Sequence, residues 1–409
     1  MSVLRLMVWG FAGICATSVA HAADPLRLEE AVARALASHP SIVAETAQLQ
    51  AVQARADREG LPPPYVIGGE FENVAGTGSL RGVDSAETTL RIGRVIELGG
   101  KREARQTLGR AEVREQQNQA DTARIDLASR TTLRFIEVLA RQQRLEYAEE
   151  RVQQAERTRR EVASWVTAAR NPESDLQAAE IALAEAELAR ETAEHELTSA
   201  RMTLAASWGA STPGFGPVVG DLQALPTIES FEVLAARLPM TPELRASRLQ
   251  ADTIAARRRV AEASAKPDID LSLGVRRMEA FNDQGLVMSI SVPLGSRKRA
   301  GYSVAQANAE LAALEARRDA DRFERHQALF EIYQELVHAR HEAEALRTRM
   351  AEDALATTRR GFESGRFSFI SLAQAQRTLF DLNERAVEAA ARYHLLLVEV
   401  ERLTVTVED

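Results

Sequence analysis

One passage of this chain is written twice. Ile96–Arg105 reads IELGGKREAR, and Val292–Gly301 reads VPLGSRKRAG. Each follows an alternating apolar run, stops at glycine, sets down basic residues and enters a long helical pattern. Leu98 matches Leu294 and Gly99 matches Gly295 at an offset of 196. The offset holds far downstream, where SDLQAAEIAL (174–183) matches ISLAQAQRTL (370–379), pairing Leu176 with Leu372, Ala179 with Ala375 and Leu183 with Leu379. A chain that makes the same passage twice must fold as two copies of one unit.

Upstream the register slips. Pro64 matches Pro267 at an offset of 203, so about seven residues are extra in the first half. The Gly-rich stretch ENVAGTGSLRGVDSAE (72–87) is the segment able to absorb them. The halves meet in GASTPGFGPVVGDLQALP, a Pro/Gly-rich stretch that reads as a linker over 211–227. The expected organisation is a signal peptide over 1–22, a first repeat over 23–210, the linker, and a second repeat over 228–409. The first repeat holds a helix, strands at 65–74 and 88–98, and long helices at 101–168 and 172–207. The second holds a helix, strands at 268–276 and 285–294, and long helices at 297–363 and 368–405.

The strands alternate. DIDLSLGV sets Ile269, Leu271, Leu273 and Val275 against Asp270, Ser272 and Gly274, and GLVMSISV sets Leu286, Met288, Ile290 and Val292 against Ser289 and Ser291. YVIGGEF sets Tyr65, Ile67 and Phe71 against Gly68 and Glu70, while Arg94 falls on the apolar side of TLRIGRVIEL. This pattern fits a membrane barrel with a wet lumen and equally a soluble sandwich sheet. The helices decide between them. Leu329, Ile332, Leu336, Ala339 and Ala343 step by threes and fours, as do Leu372, Ala375, Leu379, Leu382, Ala386 and Ala389. These are narrow, alanine-rich coiled-coil seams. From Glu103 to Trp165 there is no proline, which allows a rod of roughly 95 Å at 1.5 Å per residue. A soluble globule has little use for such a rod. Four strands cannot close a barrel on their own, so several copies must contribute.

Composition narrows the partners. The formal charge is -8 with no basic tract, which excludes nucleic acid, and the aromatic share of 5% suits seams rather than a thick core. Arg5, the apolar run LMVWGFAGICATSVA and the small residues AHA (20–22) read as an export signal, with Ala23 expected to begin the mature chain. The one cysteine, Cys15, lies inside it; Ile14 before it fits a lipidation site poorly. No later run of 18 apolar residues spans a membrane as a helix. The sequence shows no P-loop, dinucleotide fingerprint or nucleophile triad, so no enzyme and no cofactor are expected.

The duplicated strand pair and helical hairpin, with IELGGKREAR and GFESGRFSFISLAQAQRTL, resemble the outer membrane factor (TolC-like) efflux family over Leu26 to Val405. The ELGGKR segment is most similar to its heavy-metal, cobalt–zinc–cadmium branch. The resemblance implies a mainly α fold with a small β part. It implies a homotrimer with a 12-stranded outer-membrane β-barrel, continued by an α-helical tunnel across the periplasm of a Gram-negative cell. It implies the passive exit duct of a tripartite, resistance-nodulation-division type pump, reached through a periplasmic adaptor and an inner-membrane transporter. A drug, dye or other small-molecule channel of the same family is the next reading, and a periplasmic coiled-coil scaffold without a pore the one after.

Four sets of residues follow. Gly99, Gly100, Lys101, Arg102, Gly295, Arg297 and Lys298 form the barrel-to-helix junctions, where glycine lets the backbone turn. The cations there, with Arg105 and Arg299, oppose the helix dipole, so they meet either outer-membrane lipid phosphates or carboxylates of neighbouring helices. The resemblance makes Asn171, Pro172, Glu173, Ser174, Gly365, Arg366 and Ser368 the adaptor-facing tip. It makes Asp175, Ser371 and Gln374 the aperture positions, of which only Asp175 is acidic; Asp175 is also placed to cap a helix. His338 and His341, at i and i+3 beside Glu335 and Glu342, have metal-ligand spacing or form a solvated face.

Overall fold

The computed structural model describes residues 24–346 and 349–406. The signal sequence, Cys15 and Ala23 lie outside the described residues. Each repeat opens with a short helix and a longer one: α1 (Leu28–Ser38) and α2 (Pro40–Glu59), then α5 (Phe231–Arg237) and α6 (Pro242–Ala263). Pro40 and Pro242 stand in the first turn of α2 and α6, where the missing N–H costs nothing. Strands β1 (Tyr65–Glu72) and β2 (Glu87–Ile96) lead into α3 (Lys101–Thr167) and α4 (Glu173–Ala205). Strands β3 (Ile269–Met278) and β4 (Asp283–Ser291) lead into α7 (Ser296–Ala345), α8 (Arg349–Glu363) and α9 (Phe369–Thr404).

The strands form one antiparallel sheet in the order β1-β2-β3-β4. Its centre joins the repeats, with Ile96 opposite Ile269 and Leu90 opposite Val275. Register carries the alternation across all four strands. Ile67, Ile92, Leu273 and Met288 form one cross-strand row, and Gly69, Leu90, Val275 and Leu286 the next. The opposite face carries Gly68, Arg91, Gly274 and Val287, and beside them Glu70, Thr89, Arg276 and Gly285.

Among the helices, α3 is the spine. Its 67 residues make a rod of roughly 100 Å. Near the sheet it packs between α2 and α6, and farther away between α4 and α9, while α9 also packs on α7 and α8. The alanine seam of α4 is strict: Ala179, Ala186, Ala193 and Ala200 are all buried and stand seven residues apart. A seven-residue repeat keeps one stripe facing its neighbour under a left-handed supercoil.

Two features depart from expectation. The single helix expected over 297–363 ends at Ala345, where Leu346 leaves helical geometry at φ -80°, ψ 6°, and α8 begins at Arg349. Leu346 lies in the sparsely allowed bridge region. The stretch between the repeats is a packed strap rather than a free linker. Phe215, Val218 and Leu222 are buried, and Leu26 pairs with it through Leu26 N–H to Pro217 O (3.0 Å) and Val219 N–H to Leu26 O (3.0 Å). The Gln142 amide satisfies Val218 at both its N–H (3.1 Å) and its C=O (3.3 Å). The apolar residues among its glycines and prolines decide this outcome, because each buries against α3 or α9.

Candidate functional site: open sheet, junctions and helical tip

The sheet is bare where a soluble protein would cover it. Ile67, Leu90, Leu273, Leu286, Met288 and Ile290 are all exposed on one face, Leu286 to 80%. Among the described residues, no helix makes an extensive contact with the sheet, and the outer edges of β1 and β4 pair with no further strand. Such a face calls for a cover of lipid or protein, and such edges invite pairing with further strands. Two arginines, Arg94 and Arg277, fall on the apolar face, both near its ends, and Arg94 folds back onto the rim. Its Nε donates to Pro63 O (3.0 Å) and its guanidinium lies 4.9 Å from the Tyr65 ring centroid, so its charge leaves the apolar band.

The other face is polar and net acidic. Register places Glu70, Glu72, Glu87, Asp270 and Asp283 on it, against Arg91 and Arg276. Arg276 ties three strands together, donating to Glu87 (2.8 Å) and Thr89 Oγ1 (3.0 Å) and pairing with Glu72 (3.0 Å). Alternation shows where Arg276 points, but not these partners.

At the junctions the repeat is visible in the backbone itself. Gly99 and Gly295 hold φ of 86° and 88°, and Gly100 holds 72°. These left-handed angles are open to glycine and costly for other residues. A Cβ on Gly99 would lie 2.9 Å from Lys266 Cδ and 3.0 Å from Ala263 O. The basic clusters, however, differ between repeats. Lys101 Nζ donates to Asp268 Oδ1 at 2.7 Å, Arg102 Nε to Gly60 O at 2.9 Å, and Arg105 to both Glu97 oxygens and to Glu59 O. The Glu97 bond holds the Arg105 guanidinium above its usual range. The first-repeat cations are therefore held by the chain itself. Arg297, Lys298 and Arg299 instead project exposed into solvent.

The tip also repeats. After α3, Ala169 N–H donates to Val166 O (2.9 Å) and Arg170 N–H to Trp165 O (2.8 Å); after α8, Gly365 N–H donates to Phe362 O (2.9 Å) and Arg366 N–H to Gly361 O (2.8 Å). Every residue of the second pair of bonds stands 196 beyond its counterpart, and Ala169 and Gly365 are both left-handed (φ 54° and 70°). Beneath these turns Val162, Ala179, Phe362, Phe369 and Leu372 form a small core, with Trp165 and Phe362 centroids 4.7 Å apart. Pro172, Glu173, Ser174, Gly365, Arg366 and Ser368 are exposed around it, and Asn171 is half-buried. Sequence reading missed Gly361. A Cβ there would lie 2.1 Å from Phe367 Cδ2, so its lack of a side chain seats the Phe367 ring at the tip.

Of the aperture positions, Ser371 and Gln374 are exposed, while Asp175 is half-buried and accepts the Asn171 amide at 2.8 Å. Pro172, not Asp175, is the N-cap residue of α4; Asp175 lies in the first turn, where the dipole favours a carboxylate. In the second repeat Ser368 does cap α9, accepting Ser371 N–H at 3.3 Å. His338 and His341 are exposed on α7, and Glu335 beside them pairs with Arg392 at 3.6 Å. Among the described residues, no three His, Cys, Asp or Glu side chains are placed to hold a metal ion.

Residues 236–404 match the family model described as "Outer membrane efflux protein". The chain is 27% identical over 387 residues to the cobalt-zinc-cadmium resistance protein CzcC of Cupriavidus metallidurans, spanning 93% of this chain and 90% of that one. It is 27% identical over 309 residues to the nickel and cobalt resistance protein CnrC of the same organism, covering 75% of this chain and 72% of that one. Among solved structures it superposes on CusC, described through its transmembrane channel formation, with a TM-score of 0.77 at 13% identity over 94% of this chain and 93% of that one.

Proposed function

From its membership of the outer membrane efflux protein family, which the second repeat carries and the full-length relatives extend to the first, we propose that this chain is the exit duct of a heavy-metal efflux pump. Channels of this family are trimers that work with an adaptor and an inner-membrane transporter. Three copies of this four-stranded sheet make a barrel of about 12 strands, within the range of outer-membrane barrels. The apolar face meets lipid, the acidic face lines the lumen, and the helical hairpins continue the wall into the periplasm. The observation that carries this reading is the bare sheet, with one continuous apolar face and two open edges.

Two points support metal cations as cargo. The relatives CzcC and CnrC are resistance proteins for cobalt, zinc, cadmium and nickel. The polar face of the sheet carries five carboxylates to two arginines, a sign that concentrates cations in a narrow aqueous path. Passage needs no catalysis and no cofactor, and a duct gains nothing by gripping its cargo. The turns at Asn171–Ser174 and Gly365–Ser368 meet the adaptor, with Phe367 and Ile370 exposed beside them as apolar anchors. Asp175 supplies one carboxylate per chain to the aperture that Ser371 and Gln374 share. Arg297, Lys298 and Arg299, exposed just below the apolar band, face phosphate groups of the inner leaflet.

The test is the tolerance of a strain lacking the gene toward zinc, cobalt, cadmium and nickel, and in parallel toward drugs and dyes. Sensitivity confined to metals and restored by the gene is the expected result. Sensitivity to organic compounds with normal metal tolerance keeps the duct and overturns the cargo.

A further inference from the structure

We propose that the groove between α2 and α3, just below the sheet, binds the headgroup of an anionic phospholipid. The site rests on the membrane reading of the sheet given above and adds a specific ligand to it. The groove has a volume of about 900 Å³, and its lining includes Ala56 and Leu61 on one side and Arg102, Arg110, Val113 and Arg114 of α3 on the other. α2 and α3 meet at its base along Gly109, where a Cβ would lie 2.7 Å from Ala56 Cβ. Three arginines stand against one carboxylate, Asp57, so a cationic rim surrounds a largely apolar floor.

These arginines keep most of their donors for a ligand. Arg102 Nε donates to Gly60 O at 2.9 Å, and Arg110 Nη2 donates to Thr107 Oγ1 at 3.1 Å, so both hold to neutral oxygens. Arg114 lies 4.0 Å from Asp252, with both side chains more than half exposed, a pair that binds weakly. All three arginines are exposed. Guanidinium forks match phosphate oxygens, and basic pockets between helices at a membrane surface suit anionic headgroups.

The side of the helix decides the source of the phosphate. Lys101 and Arg105 bond Asp268 and Glu97, which continue the alternation of the polar face beyond Asp270 and Val95. Arg110 and Arg114 stand nine residues beyond Lys101 and Arg105, two and a half turns, so they project from the opposite side of α3. That side lies below the apolar face. Leu61, 60% exposed, ends the groove toward the sheet, and Tyr65, 68% exposed, begins the apolar face four residues later. An acyl chain on that face and a phosphate among the arginines follow one continuous path.

The duplicated groove is built differently. At the offset of 196, Arg102, Arg110 and Arg114 match Lys298, Gln306 and Glu310, and Gln306 donates to Glu310 at 2.9 Å. In the second repeat the cations stop at the junction turn, while in the first they run on down the groove. The repeat alone therefore does not account for the charge.

The test is native mass spectrometry of the full-length protein in mild detergent with dioctanoyl phosphatidylglycerol. Dioctanoylglycerol, which lacks the phosphate, and inorganic phosphate alone are run in parallel. The phospholipid should be retained in preference to both, and R110Q together with R114Q should weaken its binding roughly thirtyfold. Equal retention of dioctanoylglycerol overturns recognition by charge, and equal binding of inorganic phosphate makes the groove a free-phosphate site. A larger loss in R297Q with K298Q and R299Q than in the groove variant also overturns the proposal. A second arm needs no substitution: phosphatidylglycerol with a photoreactive headgroup should label peptides within 53–61 or 102–114, and labelling only elsewhere overturns the site. Membrane fractionation separates the two readings. A chain missing from the outer-membrane fraction fails the membrane reading, whereas one recovered there that retains no phosphatidylglycerol overturns the lipid site alone.

Discussion

At the scale of single residues, His394 shows how the strap is fastened. Its Nε2 lies 3.1 Å from Leu222 O, while Tyr393 donates its hydroxyl to Pro226 O and Arg340 reaches the same carbonyl at 3.3 Å. Burial holds the His394 imidazole below the usual histidine range; the Leu222 carbonyl and Asp221 oppose this without reversing it. Above about pH 6.5, the ordinary histidine value, the group is neutral in both folded and unfolded chains and stability does not depend on it. As the pH falls below that value the unfolded chain takes up the proton first, so the fold loses stability until the depressed folded value is passed. The melting temperature should therefore drop between pH 7.5 and pH 5.5. His394→Gln, which keeps a donor for Leu222 O but does not titrate, should flatten that drop. An equal drop in both proteins would place the acid sensitivity elsewhere. The same neighbourhood shows the limits of reading residues singly. The glycines at the junctions are legible in sequence because a left-handed turn has few other solutions. The partners of Lys101 and Arg105 are not, because Asp268 and the carbonyl of Glu59 reach them only through folding.

At the scale of elements, legibility follows period. Strands betray themselves through alternation and helices through steps of three and four, and the recurring offset of 196 ties the two copies together before any contact is known. What lacked a periodic signal was missed. The end of α7 at Ala345 carries no proline or glycine, and the strap hides three core residues in a composition that reads as loop. The α4 seam gives the element-scale prediction. Ala186 is fully buried against α3, and its row of alanines sets how closely the two helices approach. Ala186→Leu forces extra methylenes into that seam and should cost about 1–3 kcal/mol, the usual penalty of overpacking. Thermal unfolding of the purified protein followed by circular dichroism at 222 nm should show a lowered midpoint for Ala186→Leu. An unchanged midpoint would mean that the helices separate at no cost and that the seam does not set their spacing.

At the scale of the whole molecule, the two faces of the sheet answer to different solvents, and neighbouring residues of one strand can tell them apart. Met288 and Ser289 are adjacent in β4, Met288 opposite Leu273 on the apolar face and Ser289 opposite Ser272 on the polar one. In a lipid-facing wall an arginine near the midplane costs about 2–4 kcal/mol, falling toward zero at the interfaces, while a lumen position admits it into water. Met288→Arg should therefore reduce the amount of assembled protein extracted from the membrane, and Ser289→Arg should leave it unchanged. Ser289→Arg has its own consequence. In the proposed trimer it adds three positive charges around an acidic lumen, which oppose cation entry, so single-channel recordings should show weaker cation preference while assembly is preserved. If both substitutions reduce assembly equally, the sheet is packed on both sides by protein and is no membrane wall. If Met288→Arg is tolerated and Ser289→Arg is not, the faces are reversed, and the acidic residues that now line the proposed path would have to face away from it.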